Sequence, residues 1–87
     1  MATTYNATQL HLLNELYASC MEHGDGGKHW SDEHEALCYN LIGLNDVSVM
    51  LHDDGTVTAV LHDDDGAHDI DPSFKNIRKL VVDPEFN

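Results

Sequence analysis

Apolar residues recur at Leu10, Leu13, Leu16, Tyr17 and Cys20, the spacing of one helix face, with Leu12 and Met21 beside them. Asn6 precedes this run and Gln9 follows three residues later, the arrangement of a capping box. Gly24 supplies a stop, so the pattern predicts a first helix over about residues 7–22. Residues 25–28 read as a flexible turn. Ser31 can cap a second helix, with Asp32 and Glu33 where the helix dipole favours anions. Ala36, Leu37 and Leu41, with Cys38, make its inward stripe before Gly43. The short connection predicts an antiparallel helical hairpin over about residues 7–42.

The period then changes from helical to alternating. Val47, Val49 and Leu51, then Val57, Ala59 and Leu61, mark two strands over about residues 47–52 and 56–62. A two-residue loop at Asp54 and Gly55 would set the two apolar rows on opposite faces. A three-residue loop with Gly55 left-handed pairs Leu51 with Val57, Val49 with Ala59 and Val47 with Leu61, which gathers one apolar face and is the preferred register. The segment ending in Asp53-Asp54-Gly55 echoes in His62-Asp63-Asp64-Asp65-Gly66, consistent with successive turns of a meander. A third short strand follows at about residues 67–70. Beyond it two readings stand. Asp71 and Pro72 can open a helix with Phe74, Ile77 and Val81 at helical spacing, or residues 77–82 form a fourth strand; the run Leu80-Val81-Val82 favours the strand. The expected fold is α+β: an N-terminal antiparallel helical hairpin packed on a three- to four-stranded antiparallel β-meander over about residues 46–82, in one domain spanning residues 1–87.

Charge changes this picture more than composition does. The 87 residues carry 16 Asp and Glu against four Lys and Arg, a net charge of −12. Lys28 is the only Lys or Arg before Lys75, Arg78 and Lys79, so residues 29–74 hold carboxylates and no such cation. This surface repels phosphate backbones and anionic lipid, which argues against direct nucleic-acid or membrane binding. No apolar run approaches the roughly 20 residues of a membrane span, and the N-terminus has no basic, apolar leader, so a cytoplasmic location is expected. Two cysteines in that compartment read as thiols or metal ligands rather than as a disulfide.

The tightest spacing of metal-ligand types is Cys20-x2-His23 and His34-x3-Cys38. In a helical hairpin these four side chains could converge on a tetrahedral zinc ion, giving a small zinc-stabilised domain as an alternative function. The bland reading has both cysteines in the core. Calcium fits poorly: counting back from Gly66 puts Leu61 at the first ligand position of an EF-hand loop, and Pro72 stands where the bidentate Glu belongs. No nucleophile signature or phosphate-binding glycine loop is present, so the chain is not read as an enzyme. Seven histidines would move the net charge from −12 to −5 if all were protonated, so charge-driven binding should weaken between about pH 7 and 5.

The carboxylates are therefore the candidate binding groups. Asp53 and Asp54 fall at one end of the meander, and Asp46, Asp63, Asp64 and Asp65 at the other. Asp69 and Asp71 border the third strand, and Asp32, Glu33 and Glu35 lie on the start of the second helix. Carboxylates on a rigid scaffold can occupy a basic groove that otherwise takes DNA or RNA, with Met50, Val60 or Trp30 as apolar anchors. The reading is a non-enzymatic, nucleic-acid-mimicking inhibitor of a basic DNA- or RNA-binding protein. An acidic structural or salt-adapted protein is the remaining alternative. Small acidic phage-encoded inhibitors, such as uracil-DNA glycosylase inhibitors and some anti-CRISPR proteins, share this size and charge but no residue motif with the chain. An exposed edge strand, ending at Ile70 or Val82, would allow a homodimer.

Overall fold

The computed structural model describes residues 2–24 and 26–82; Asp25 of the expected turn lies outside them. Strand β1 (Thr3–Thr4) precedes helix α1 (Ala7–Glu22). Five strands follow: β2 (Gly27–Ser31), β3 (Ala36–Ile42), β4 (Asp46–His52), β5 (Thr56–Asp63) and β6 (Gly66–Ile70). Helix α2 (Phe74–Val81) closes the described chain. The strands make one six-stranded antiparallel sheet in the order β2-β3-β4-β5, and β6 and β1 both pair with the far side of β5.

Helix α1 forms where the pattern placed it. Asn6 Oδ1 accepts from the Gln9 amide at 2.8 Å and Gln9 Oε1 accepts from the Asn6 amide at 2.9 Å, closing the capping box. The expected helical hairpin does not form. Residues 27–42 are the β2–β3 hairpin, so the N-terminal part supplies one long helix, α1, on a six-stranded sheet rather than a helical hairpin on three or four strands. The capping signal at Ser31 is used: its Oγ accepts from the His34 amide at 3.3 Å. The chain nevertheless turns back, with Glu35 in the left-handed region at φ 49°. Residues 36–42 satisfy two periods at once. Ala36, Leu37 and Leu41 suit a helix, whereas Leu37, Tyr39 and Leu41 alternate as a strand should. As a strand they face Leu51, Val49 and Val47 of β4, and both sides of β4 then find ladder partners. Tertiary pairing decides between two locally acceptable periods.

The C-terminal preference is also corrected. Residues 74–81 are helix, not strand. Ser73 caps it, accepting from the Asn76 amide, and Phe74, Ile77 and Val81 bury one face. A fourth meander strand would have lain beside β6; the segment instead covers the helix side of the sheet, where Phe74, Ile77 and Val81 join the core around Val47 and Val49. The preferred β4–β5 register is the observed one: Leu51 pairs with Val57, Val49 with Ala59 and Val47 with Leu61, and Gly55 takes φ 88°.

Both helices lie on one face of the sheet. Leu13, Leu16 and Cys20 of α1 and Phe74, Ile77 and Val81 of α2 join Tyr39, Leu41, Val47, Val49, Val57 and Ala59 in one core cluster. Tyr39 anchors α1, stacking edge-on against Tyr17 at 5.6 Å and donating its hydroxyl to Asn14 Oδ1 at 3.1 Å. The β3–β4 turn caps the far end of α2. The Leu44 amide donates to the Val81 carbonyl at 2.9 Å, and Asn45 Nδ2 donates to the Leu80 carbonyl at 2.7 Å, satisfying carbonyls that a helix end leaves open. Gly43 permits this approach, because a β-carbon there would sit 2.2 Å from the Val81 oxygen. At the start of α2, the Tyr5 hydroxyl donates to the Pro72 carbonyl. Burial, then the nearby Asp71 carboxylate, pushes the Tyr5 phenol up to about 12.

Candidate functional site

Alternation along the strands sends the other set of side chains to the face that neither helix covers. Across β2, β3, β4 and β5 one row runs His29, Cys38, Met50, Thr58. The next runs Asn40, Ser48, Val60 and Asp69 across β3, β4, β5 and β6. Apart from Thr58, which stands beside it, these residues line a shallow depression of about 540 Å³ together with His62, Ala67 and the turn residue Glu33. Cys38 is buried in its floor, whereas Met50 and Val60 are half-buried.

The polar groups of this face bond to each other. Ser48 Oγ donates to Asn40 Oδ1 at 2.8 Å and lies 2.9 Å from His62 Nε2. A hydroxyl has one proton, so with that proton on the Asn40 bond, His62 Nε2 carries its own and donates to Ser48. His52 Nδ1 donates to the His34 carbonyl at 3.2 Å, which leaves Nε2 to accept from Thr58 Oγ1 at 2.8 Å in the neutral ring. The apolar part of the floor is thus Cys38, Met50, Val60 and Ala67.

The cations are confined to one side of the sheet. Lys28 lies on the helix side, its ammonium over the Tyr17 and Tyr39 rings at 5.2 and 5.4 Å. Lys75, Arg78 and Lys79 all belong to α2. Every Lys and Arg of the chain is therefore on the helix side, and none lines the open face.

Carboxylates gather at both ends of the open face. The end expected to hold Asp53 and Asp54 holds more, because the β2–β3 turn brings Asp32, Glu33 and Glu35 there instead of to a second helix. The Asp53 amide donates to the Glu35 carbonyl at 3.0 Å, tying the two turns together. Between them His34, Glu35, His52, Asp53, Asp54 and Thr56 line a notch of about 230 Å³. At the opposite end Asp46 sits across from His62, with Asp64 and Asp65 in the next turn. Asp69 borders the floor from β6.

The predicted carboxylates do not all serve this face. Asp63 Oδ1 accepts from the Asp65 amide at 2.8 Å and meets His68 Nε2 at 3.0 Å on the helix side; these bonds hold its carboxyl below the ordinary range. Asp54 is lowered by the Thr56 hydroxyl and amide, at 2.6 and 2.9 Å. Asp71 accepts from the Ser73 amide and hydroxyl at the start of α2, and Asp32 accepts from Trp30 Nε1 at 2.8 Å. Glu33, Glu35, Asp46, Asp53 and Asp69 are not committed in this way. Of the three expected anchors, Met50 and Val60 lie in the floor, and Trp30 pairs with Leu37 on the helix side.

The zinc set is not assembled. Cys20 packs from α1 into the core on the helix face, and Cys38 lies on the opposite face with the sheet between them. His23 ends α1 and His34 sits in the β2–β3 turn, separated by β2, about 17 Å of strand. Among the described residues no group of three or more His, Cys, Asp or Glu is placed to hold a metal ion. The two cysteines form no disulfide, and burial pushes the Cys38 thiol up, away from the reactive thiolate.

What sequence reading missed is the open face itself. Reading the segment after Ser31 as a second helix hid Cys38 and Asn40 from Met50, Ser48 and Val60. The available signal was the mirrored alternation Leu37, Tyr39, Leu41 and Val47, Val49, Leu51 about a turn containing Gly43. Among the described residues no helix is long and apolar enough to cross a membrane. Comparison of the chain with known protein families, curated proteins and solved structures finds no match.

Proposed function

We propose that this chain is a non-enzymatic acidic interaction protein that occupies a basic, nucleic-acid-binding surface of another protein, as a nucleic-acid mimic would. The observation that carries the reading is the segregation of charge. A coat grown only for solubility or salt tolerance has no reason to collect every Lys and Arg on one side of a sheet and leave carboxylates at both ends of the other. Rigid strands and tight turns hold those carboxylates in place, which favours complementarity with a fixed pattern of cations.

A catalytic reading of the Ser48–His62 pair meets two obstacles. His62 Nε2 donates to Ser48 when Ser48 donates to Asn40, so no lone pair faces the hydroxyl as a general base requires. Ser48 also lies in a strand paired on both sides, whose amides the ladder engages rather than an oxyanion. Such a protein would act in the cytoplasm, that of the host if a phage encodes it.

The test is retention of host-lysate proteins on the immobilised chain at low and high salt. A basic DNA- or RNA-binding protein should be held at low salt and released at high salt. Combined Glu33→Lys, Asp53→Lys and Asp69→Lys changes should abolish retention while the circular dichroism spectrum stays native. Failure to retain any basic protein at low salt would sink the reading.

A further inference from the structure

We infer that the open sheet face seats a basic amphipathic α-helix of the partner, laid diagonally across the strands. This rests on the basic-partner reading and names the surface and the element that fills it. Backbone chemistry selects the element. In β3, β4 and β5 both edges of each strand are engaged by neighbours, so the floor presents side chains and no spare amides or carbonyls. An extended peptide needs main-chain partners and would add to an edge instead. A helix satisfies its own backbone and can lie on a face of side chains.

The dimensions and chemistry agree with that occupant. From the Asp46 end of β4 to the Asp53 turn is about seven residues, or roughly 23 Å. A helix covers that length in about 15 residues, four turns. From β2 to β6 the floor spans four strand spacings, about 19 Å, wider than a helix of about 10–12 Å. Cys38, Met50, Val60 and Ala67 fall one to a strand on β3, β4, β5 and β6 and step diagonally across the floor, the line on which an apolar stripe would rest. Glu33, Glu35 and Asp53 at one end, and Asp46 at the other, demand Lys or Arg at both ends of that stripe. Asp69 on β6 adds a carboxylate along one side. With no Lys or Arg on this face, such cations meet only opposite charge. Nucleic acid is repelled by the same carboxylates, and a second copy of a chain with net charge −12 is opposed by its own field.

The experiment uses the full chain with three labelled peptides of about 18 residues, long enough to span both ends. The first is helical, with a Leu stripe and Arg at both ends. The second has the same composition with a central Pro, and the third keeps the charges but replaces the stripe with Gln. Fluorescence anisotropy at low salt should show the first binding at least about tenfold more tightly than either control, a loss of one good apolar or preorganised contact set being worth that much. The Met50 methyl resonance should shift on binding. Met50→Lys and Thr58→Lys should each weaken binding by a similar factor, and paired Lys75→Glu and Lys79→Glu on the opposite side should not. Thr58 is exposed, so its variant decides the matter if Met50→Lys fails to fold.

Equal binding of all three peptides would reduce the face to bare charge and overturn the proposal. So would amide shifts confined to the outer edge of β2, which mean strand addition, or concentration-dependent self-association that Thr58→Lys removes, which means a second copy. If a basic lysate protein is retained by the wild type and equally by the Met50 and Thr58 variants, the helix seat falls while the basic-partner reading stands. If no basic protein is retained at all, both fall.

Discussion

Cys38 and Tyr39 are adjacent in the chain but belong to different environments. Tyr39 points to the helix side, where its ring meets Tyr17 and its hydroxyl meets Asn14. Cys38 points to the other side, into a row with His29 and Met50. The same division runs through β4, where Val47 and Val49 are fully buried while Ser48 and Met50 are not. One face of the sheet holds the fold together. The other is finished with hydrogen bonds among its own polar groups and, among the described residues, is left without a covering helix. Placing all four Lys and Arg on the first face leaves the second able to take a cationic partner, so the division of stability is also a division of charge.

The sharpest way to break this comparison is to truncate matched positions on the two faces. Leu41 is fully buried on the helix face, and Leu41→Ala should cost about 2–5 kcal/mol from lost burial and the cavity left behind. Thr58 is exposed on the open face, and Thr58→Ala should stay within about 0.5 kcal/mol. Urea unfolding measures both, and similar losses would mean that the open face also carries the fold. A smaller effect tests the seam between the β3–β4 turn and α2. Gly43→Ala forces the turn off the Val81 carbonyl and should cost roughly 1–3 kcal/mol, as overpacking does. Phe74 and Ile77 resonances should shift with it, and unchanged spectra would show that the cap is dispensable.

The smallest effects are those of pH, and they separate the two regions. Asp54 and Asp63 have lowered folded-state values, so the unfolded chain takes up these protons first. Their contribution to stability is present above about pH 4 and is lost as pH falls through the lower folded values. Protection of the Thr56 and Asp65 amides, relative to their intrinsic exchange, should therefore fall in acid before that of α1. Tyr5 has the opposite dependence. Its phenol is pushed up to about 12, so the unfolded chain loses that proton first, and the contribution is whole below about pH 10 and lost as pH rises from there. Alkali should loosen the β1–α2 seam, seen as shifts of the Tyr5 and Phe74 ring resonances, while the methyl resonance of Thr56 beside Asp54 stays in place. Uniform loosening at either extreme would erase the distinction.

Much of the local structure was legible in the chain. The capping box at Asn6 and Gln9, the stripe Leu13, Leu16, Cys20 and the left-handed Gly55 are short-range features. Their signals arise within a few residues and need no distant partner to act. The β4–β5 register was legible for the same reason, since a one-residue slip across a short turn would expose Val47, Val49 and Leu51 together. The carboxylate-rich, cation-free stretch from 29 to 74 was visible as composition.

Two segments were not decided locally. Residues 36–42 suit a helix and a strand almost equally, and became β3 because β4 needed a second ladder partner and Leu37, Tyr39 and Leu41 could meet its apolar row. Residues 74–81 carried β-branched residues at their end, yet became α2 because Phe74, Ile77 and Val81, at helical spacing, could cover Val47 and Val49 in the core. The zinc set dissolved with the first of these choices, and the open face appeared with it. The sequence by itself determined how much charge the protein carries, which turns it makes and which side chains are apolar. Only the tertiary structure decided that every cation lies on one face of the sheet and that carboxylates cluster at both ends of the other, because hydrogen bonds between strands far apart in the chain set which residues share a face.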